Sequence, residues 1–341
     1  MPITIREVAA AAGVSPAAAS KVLHGRGDSV RVGAERAAHI RKIALDLNYR
    51  PNLLARNLRT GRTHTVGLVF ENFGSIAGGP LYYVDLLEGV ASTLFPQHYR
   101  LTILPELPGG DALSALGDGQ LEGVVWCKLA RDEAALKIIH DSPIPIVAMN
   151  APAPEDPTSA VFVSCDNEGG IELAVDHLWE LGHRRILFVR EQEETTSPDQ
   201  MARAEAFKAA LARREAPADI QTWHWYGDEF AGWMASNPPH TAVIGWSERC
   251  AGMVLNQAEK NGVNIPERLS VIGFDSTRFC ETTRPRLTSV CQPVREMARH
   301  ATQTLLDLIQ GSRPETHSFV FPCTLDVRDS TAPNSYPQVK Q

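Results

Sequence analysis

Helix punctuation in the first two dozen residues narrows the fold more than any other feature of this sequence. Thr4-Ile5-Arg6-Glu7 has the form of a capping box: the Thr4 hydroxyl accepts from the Glu7 amide while the Glu7 carboxylate reaches back to the Thr4 amide. Ile3 and Val8 take the two positions of a hydrophobic staple, so a helix is expected to begin at Ile5. It runs through alanines to Gly13, a residue suited to a left-handed exit. Ser15 then offers an N-cap, and Pro16 sits at the first helical position, where the missing N–H is harmless. The second helix is expected over about 16–23 and a third over about 34–47, the latter with Ile40, Ile43, Ala44 and Leu47 on one face. Two short helices joined by a glycine turn make a helix-turn-helix, whose second member enters the major groove of DNA. A generic three-helix module that docks on another protein is the alternative for this stretch alone.

Charge favours the first reading. Residues 1–62 hold eleven Lys/Arg and four Asp/Glu, a balance of +7, whereas the rest of the chain carries 22 basic and 36 acidic side chains. A basic head on an acidic body suits a polyanionic partner. No apolar run approaches the roughly 18 residues of a membrane span. The N-terminus lacks a secretory pattern, so the chain is expected in the cytoplasm with no membrane partner. Six cysteines stand far apart with no C-x-x-C spacing, which predicts free thiols and no metal site, and no cofactor is expected.

Tyr49-Arg50-Pro51-Asn52 breaks the third helix, because the residue before proline is pushed out of helical geometry. Asn52 can cap a short segment, 53–58, with Leu54 and Leu58 one turn apart. So short a peptide needs a partner or a groove to stay helical. Thr4-Ile5-Arg6-Glu7-Val8-Ala9, Ala12-Gly13-Val14-Ser15-Pro16, Ser20-Lys21-Val22-Leu23, Tyr49-Arg50-Pro51-Asn52 and the run from Leu54 to Arg62 resemble the N-terminal signature of the lac repressor (LacI/GalR) family. The resemblance extends over nearly the whole chain.

The resemblance implies a hinge helix at 53–58 that folds on a pseudo-palindromic double-stranded operator, with Leu58 wedged into the minor groove beside its twin from a second protomer. It implies a DNA-contacting set of Thr4, Ser15, Pro16, Ala17, Ser20, Lys21, His24, Asn52, Ala55 and Leu58. Lys21 and His24 stand where the family more often has Arg and Asn, and Ala18 and Ala19 replace the usual Thr and Val. Ala17 against a thymine methyl and Lys21 against guanine or phosphate are then the expected contacts.

After Thr65 the pattern alternates strand and helix. Strands are expected at 66–70, 101–104, 123–126, 144–149, 186–189, 242–245 and 270–274, with helices at 83–93, 168–181, 202–213 and 251–261 between them. Alternation of this kind predicts parallel, doubly wound sheets. The fold class is therefore an all-α helix-turn-helix head plus an α/β body. The resemblance makes that body two doubly wound lobes of periplasmic-binding-protein type, joined by three crossings of the chain. The expected divisions are 1–50 for the head, 51–64 for hinge and linker, 65–160 with 290–321 for one lobe, 161–289 with 322–330 for the other, and 331–341 as a disordered tail.

Ligands of such sheets bind beyond the carboxyl ends of the strands. Asp275 stands there, in Gly273-Phe274-Asp275, and matches the family's ligand-contacting aspartate; Arg203 matches its arginine. A carboxylate that accepts and a guanidinium that donates suit adjacent hydroxyls of a carbohydrate effector. An ion pair with no ligand role is the alternative. Ser247-Glu248 replaces the family's Asn-Asp, Asn150 and Glu71 match in position, and Trp246 and Trp126 could stack on a sugar or fill the core. The expected effector set is Arg203, Asp275, Ser247, Trp246, Asn150 and Glu71. Catalysis is not expected, since Gly117-Asp118-Gly119 precedes a strand instead of following one. The absence of a leucine heptad near the end favours a homodimer.

Overall fold

The computed structural model describes residues 3–24, 32–50, 61–70, 81–104, 112–127, 133–151, 153, 160–191, 197–224 and 227–335. The chain divides into two compact units, one ending at Thr63 and one beginning at His64.

In the first unit, helix α1 spans Ile5–Ala11. Both halves of its capping box are present: Glu7 N–H donates to Thr4 Oγ1 at 3.4 Å and Thr4 N–H donates to Glu7 Oε2 at 2.7 Å. Gly13 leaves the turn at φ +61°, a conformation that costs a residue with a side chain about 1–2 kcal/mol. Helix α2 spans Pro16–His24, capped by Ser15 Oγ, which accepts from Ala18 N–H at 3.2 Å. Helix α3 spans Ala34–Asp46. Ala9, Ala12, Ala19 and Ile40 form the core of this unit, and three alanines among four side chains let the helix axes approach closely.

Among the described residues the second unit forms two six-stranded sheets. The first contains β1 (Thr65–Phe70), β2 (Arg100–Leu104), β3 (Gly123–Cys127), β4 (Ile146–Met149), β5 (Val161–Cys165) and β11 (Ser318–Phe321), in the order β11-β5-β4-β3-β1-β2. The second contains β6 (Ile186–Glu191), β7 (Asp219–Trp223), β8 (Ala242–Gly245), β9 (Ser270–Asp275), β10 (Thr288–Cys291) and β12 (Thr324–Asp326), in the order β12-β10-β9-β8-β6-β7. Both repeat one doubly wound order, and only β12 runs antiparallel to its neighbour. Strands covered on both faces read as continuous apolar runs: β1, β3, β4, β8 and β9 are buried along almost their whole length.

The chain passes between the sheets three times: after β5, after β10 and after β11. Two expected divisions need correction. Val161–Cys165 belongs to the first sheet, paired with β4 and β11, so the second lobe begins at Asp166, which caps the next helix, and not at 161. Val290 and Cys291 likewise pair with β9 in the second sheet. The tail is not loose at 331–335, because its backbone groups are bonded to the second lobe: Ala332 N–H donates to Ser270 Oγ at 3.1 Å and Asn334 N–H to the Leu181 carbonyl at 2.8 Å.

In the first lobe, Tyr82–Leu94 packs on Val294–Ile309 across Gly89, where an added Cβ would fall 2.5 Å from Ala298 Cβ and 2.7 Å from the Arg295 carbonyl oxygen. Neither neighbour can rotate away. Gly89→Ala should therefore destabilise the protein by about 1–3 kcal/mol, the usual range for overpacking. A thermal midpoint equal to that of the wild type would show that the two helices can separate freely.

Candidate functional site

The carboxyl ends of the strands bring one cluster of polar side chains together. Arg203 projects from the second turn of Pro198–Ala212, the helix after β6, and is only 2% exposed. Its Nε donates to Asn167 Oδ1 and its Nη1 to the Trp246 carbonyl, both at 2.8 Å. Asp275 Oδ1 lies 3.6 Å from Nη1, and the guanidinium carbon sits 3.5 Å from the centre of the Phe274 ring. Burial weighs against the Arg203 charge; Asp275 and Asp199 more than offset it, so the group stays protonated.

From Asp275 the bonding continues into the first lobe. Gln292 Nε2 donates to Asp275 Oδ1 at 2.6 Å, and Asn150 Nδ2 donates to Gln292 Oε1 at 3.2 Å. Asn150 Nδ2 also lies 3.3 Å from Asp199 Oδ2, whose partner oxygen accepts from Asn167 Nδ2 at 3.1 Å. That closes a ring: Arg203, Asp275, Gln292, Asn150, Asp199, Asn167. Tyr82 Oη donates to Asn150 Oδ1 at 2.6 Å, and burial together with Cys127 holds the Tyr82 hydroxyl well above its ordinary pKa, so it remains a donor. Asn150 follows β4 in the first lobe and Asp199 follows β6 in the second, so the ring spans the crossing between them.

Three of the eight described non-glycine residues with positive φ stand at or beside the ring. Asp275 has φ 108°, Ser276 φ 52° and Asn150 φ 54°, conformations that side chains disfavour and that persist where the surroundings over-determine them.

Of the expected effector set, Arg203, Asp275 and Asn150 meet in the ring. Trp246 joins through its backbone carbonyl, with its ring buried 5.9 Å from the guanidinium. Ser247 serves its own helix, since its Oγ caps Glu248–Lys260 by accepting from Cys250 N–H at 3.1 Å. Glu248 turns inward, accepting from Thr277 N–H at 2.8 Å and Thr277 Oγ1 at 2.5 Å. Trp126 is buried in the first lobe's core among Val69, Leu116 and Ala148. Glu71 lies outside the described residues. Asn167, Asp199, Gln292 and Tyr82 are additions to the expected set. Their signal in the sequence is position alone, since each of the first three directly follows a strand end or opens the next helix.

On the head, Thr4 caps α1, and Ser15, Pro16 and Ala17 are exposed at the start of α2. Ser20 and Lys21 are half-buried further along it, and Lys21 Nζ is covered without a hydrogen-bond partner among the described residues. Ala19 packs in the core. His24 ends the helix, while Asn52, Ala55 and Leu58 lie outside the described residues.

Comparison with known proteins gives a consistent result. Residues 4–52 match the model of the bacterial regulatory proteins of the lacI family, and residues 175–331 match that of the periplasmic binding protein-like domain. The chain is 30% identical to the HTH-type transcriptional regulator CelR of Thermobifida fusca, over 96% of this chain and 98% of that protein. Its fold resembles that of a lac repressor dimer bound to operator and an anti-inducer, with a TM-score of 0.83 at 19% identity over 97% of this chain and all of the other. It also resembles a CelR–cellobiose complex, with a TM-score of 0.69 at 25% identity over 96% and 99% of the two chains.

Glu248 yields a test of these electrostatics. Burial and the nearby Asp275 push its carboxyl from an ordinary 4.5 to about 7. Between those values the folded protein holds a proton that the unfolded chain has released, so stability should fall as pH rises through this window. The drop in urea midpoint from about pH 5 to about pH 8 should shrink in Glu248→Gln, whose side chain carries no such proton. An equal drop in both proteins would place the titration elsewhere.

Proposed function

The chain belongs to the LacI family of bacterial regulatory proteins, and from that premise we propose that it is a cytoplasmic repressor whose operator affinity is set by a carbohydrate bound between the two lobes of its body. Two copies of the head meet the half-sites of a pseudo-palindromic operator, as the two-fold geometry of helix-turn-helix dimers requires. Ser15, Pro16, Ala17, Ser20 and Lys21 face the major groove.

One observation carries the effector reading: the ring of carboxylate, amide and guanidinium groups that spans both lobes at the strand ends. Vicinal hydroxyls offer a donor and an acceptor on adjacent carbons, which is what Asp275, Asn150 and Asp199 on one side and Arg203 and Gln292 on the other can satisfy. A sugar entering the ring exchanges lobe-to-lobe hydrogen bonds for lobe-to-sugar ones. It thereby favours one relation of the lobes over another, and such unequal binding is the condition for any effect on DNA affinity. The CelR structure with cellobiose supports a sugar as the ligand class.

A thermal-shift screen against neutral sugars and sugar acids identifies the effector, and Asp275→Ala tests the site. Removing the carboxylate leaves buried hydroxyls unpaired at a cost of about 1–3 kcal/mol, so sugar affinity should fall tenfold or more by calorimetry. Gel-shift affinity for the upstream DNA should hardly change without sugar. Unaltered sugar affinity would remove Asp275 from the site.

The head makes a separate prediction. Each phosphate neutralised should contribute about −0.9 to the slope of log K against log salt, so DNA binding should weaken steeply as salt rises. A flat salt response would rule out the proposed mode.

A further inference from the structure

Each of the three passages between the lobes carries a cysteine. Cys165 ends β5 at the first passage, Cys291 ends β10 at the second, and Cys323 lies in the short gap between β11 and β12 at the third. All are free thiols, Cys165 buried and the other two half-buried. The first and third passages run side by side. Strand β11 pairs with β5 in a register that sets Phe321 opposite Cys165, and Asp166 N–H donates to the Phe321 carbonyl at 2.8 Å. Two residues beyond Phe321, the Cys323 thiol lies within interaction range of that of Cys165. Far apart in sequence, the two sulfurs are neighbours only because the chain crosses here more than once.

We propose that Cys165 and Cys323 form a peroxide-responsive thiol pair, which closes into a disulfide and braces the first and third passages between the lobes. Cys323 is the attacking group. It is half-buried where Cys165 is buried, so peroxide reaches it first, and the neighbouring Cys165 thiol and the Arg203 guanidinium hold its own thiol below the usual range. The Cys323 thiolate attacks one oxygen of hydrogen peroxide. The O–O bond breaks, hydroxide leaves and takes up the proton Cys323 had released, and Cys323 becomes a sulfenic acid. Cys165 sulfur then attacks Cys323 sulfur, and the sulfenic hydroxyl departs with the Cys165 proton as a second water. Two thiols lose two electrons, and the peroxide that gains them becomes two waters.

The bond would reach the polar ring. Cys165 Sγ lies 3.5 Å from Asn167 Oδ1, the atom that accepts from Arg203 Nε. Oxidation removes the S–H from beside Asn167 and ties the first passage to the third, so the segment that carries Asn167 loses freedom to move with the second lobe. Any effect on effector binding rests on the function proposed above; the disulfide itself does not. In a reducing compartment a disulfide of this kind is transient and belongs to sensing.

The test uses the full-length protein, treated with hydrogen peroxide, alkylated and digested. A linked peptide joining Cys165 to Cys323 is expected, with two of the six thiols lost and both restored by dithiothreitol. Cys291→Ser should keep the link. Cys165→Ser should lose it and leave Cys323 as a sulfenic acid trapped by dimedone. Amide exchange in residues 161–168 and 318–326 should slow several-fold on oxidation of the wild type and not of Cys323→Ser. Six surviving thiols, a link from Cys323 to Cys291, or a trapped sulfenic acid on Cys165 would each overturn the proposal. Unchanged exchange in a linked protein would overturn the bracing role.

Discussion

A guanidinium cannot give up its charge at any pH the protein meets, so carrying Arg203 into the body obliges the fold to surround it. Four elements contribute. The turn that opens the helix at Asn167 supplies an amide oxygen, the end of β8 a backbone carbonyl, and β9 both the Phe274 ring and the Asp275 carboxylate; the helix after β6 holds the arginine itself. None of these positions is free to drift once the charge is inside, because an uncompensated buried ion costs several kcal/mol. The strained backbone at Asp275 is the local cost of aiming a carboxylate back at the arginine from a strand end.

The doubled topology makes such a cluster reachable. In each sheet the strand order reverses between the first strand and its two neighbours, and the carboxyl ends there open a crevice that no crossover helix covers. With one crevice in each lobe, and β5, β10 and β11 each handing the chain across, groups from both sheets converge over a short distance. Asn150 reaches Asp199 and Gln292 directly, so the two halves communicate through amides at the point where the chain changes sides. The same convergence sets Cys165 beside Cys323.

Much of this is legible in the sequence, and the exceptions have physical causes. The head announces itself because capping residues act locally: Thr4, Glu7, Gly13 and Ser15 do in the structure what their side chains predict. The seven strands expected from apolar runs all form. Those without such a run, Asp219–Trp223, Thr288–Cys291, Ser318–Phe321 and Thr324–Asp326 among them, are mixed in polarity, and all but Thr288–Cys291 lie at sheet edges where one side is wet. Val161–Cys165 escapes notice although buried, because Ser164 cuts its apolar run short. At the site, Arg203 and Asp275 follow from strand-end logic and family resemblance. Asn167 and Asp199 are hidden by an adequate local explanation, since Asp166-Asn167 and Ser197-Pro198-Asp199 both read as ordinary helix starts. Ser247, expected as a ligand contact because it follows a strand end, has a local role as well, since its oxygen caps the next helix. Contacts between residues distant in sequence leave no periodic trace.

Magnitudes divide the ring into fixed and movable parts. Breaking one side of a buried ion pair costs about 3–5 kcal/mol, so Arg203 with Asp275 and the Phe274 face is the part of the ring least free to move. A neutral hydrogen bond contributes only about 0.5–1.5 kcal/mol net. The bond from Asn150 to Gln292 is of that weaker kind, the one to the Asp199 carboxylate is charge-assisted at about 1.5–3 kcal/mol, and both join the lobes. Exchanging two of them for bonds to a ligand changes the balance between lobe positions by about 1–3 kcal/mol, which is the usual size of coupling between two binding sites. A ring built only of salt bridges would hold the lobes too firmly for a small molecule to shift, and one built only of amides would not keep the site's shape without ligand. With the ion pair inside one lobe and single hydrogen bonds from Asn150 across the crossing, the ring is held more firmly within a lobe than between the two.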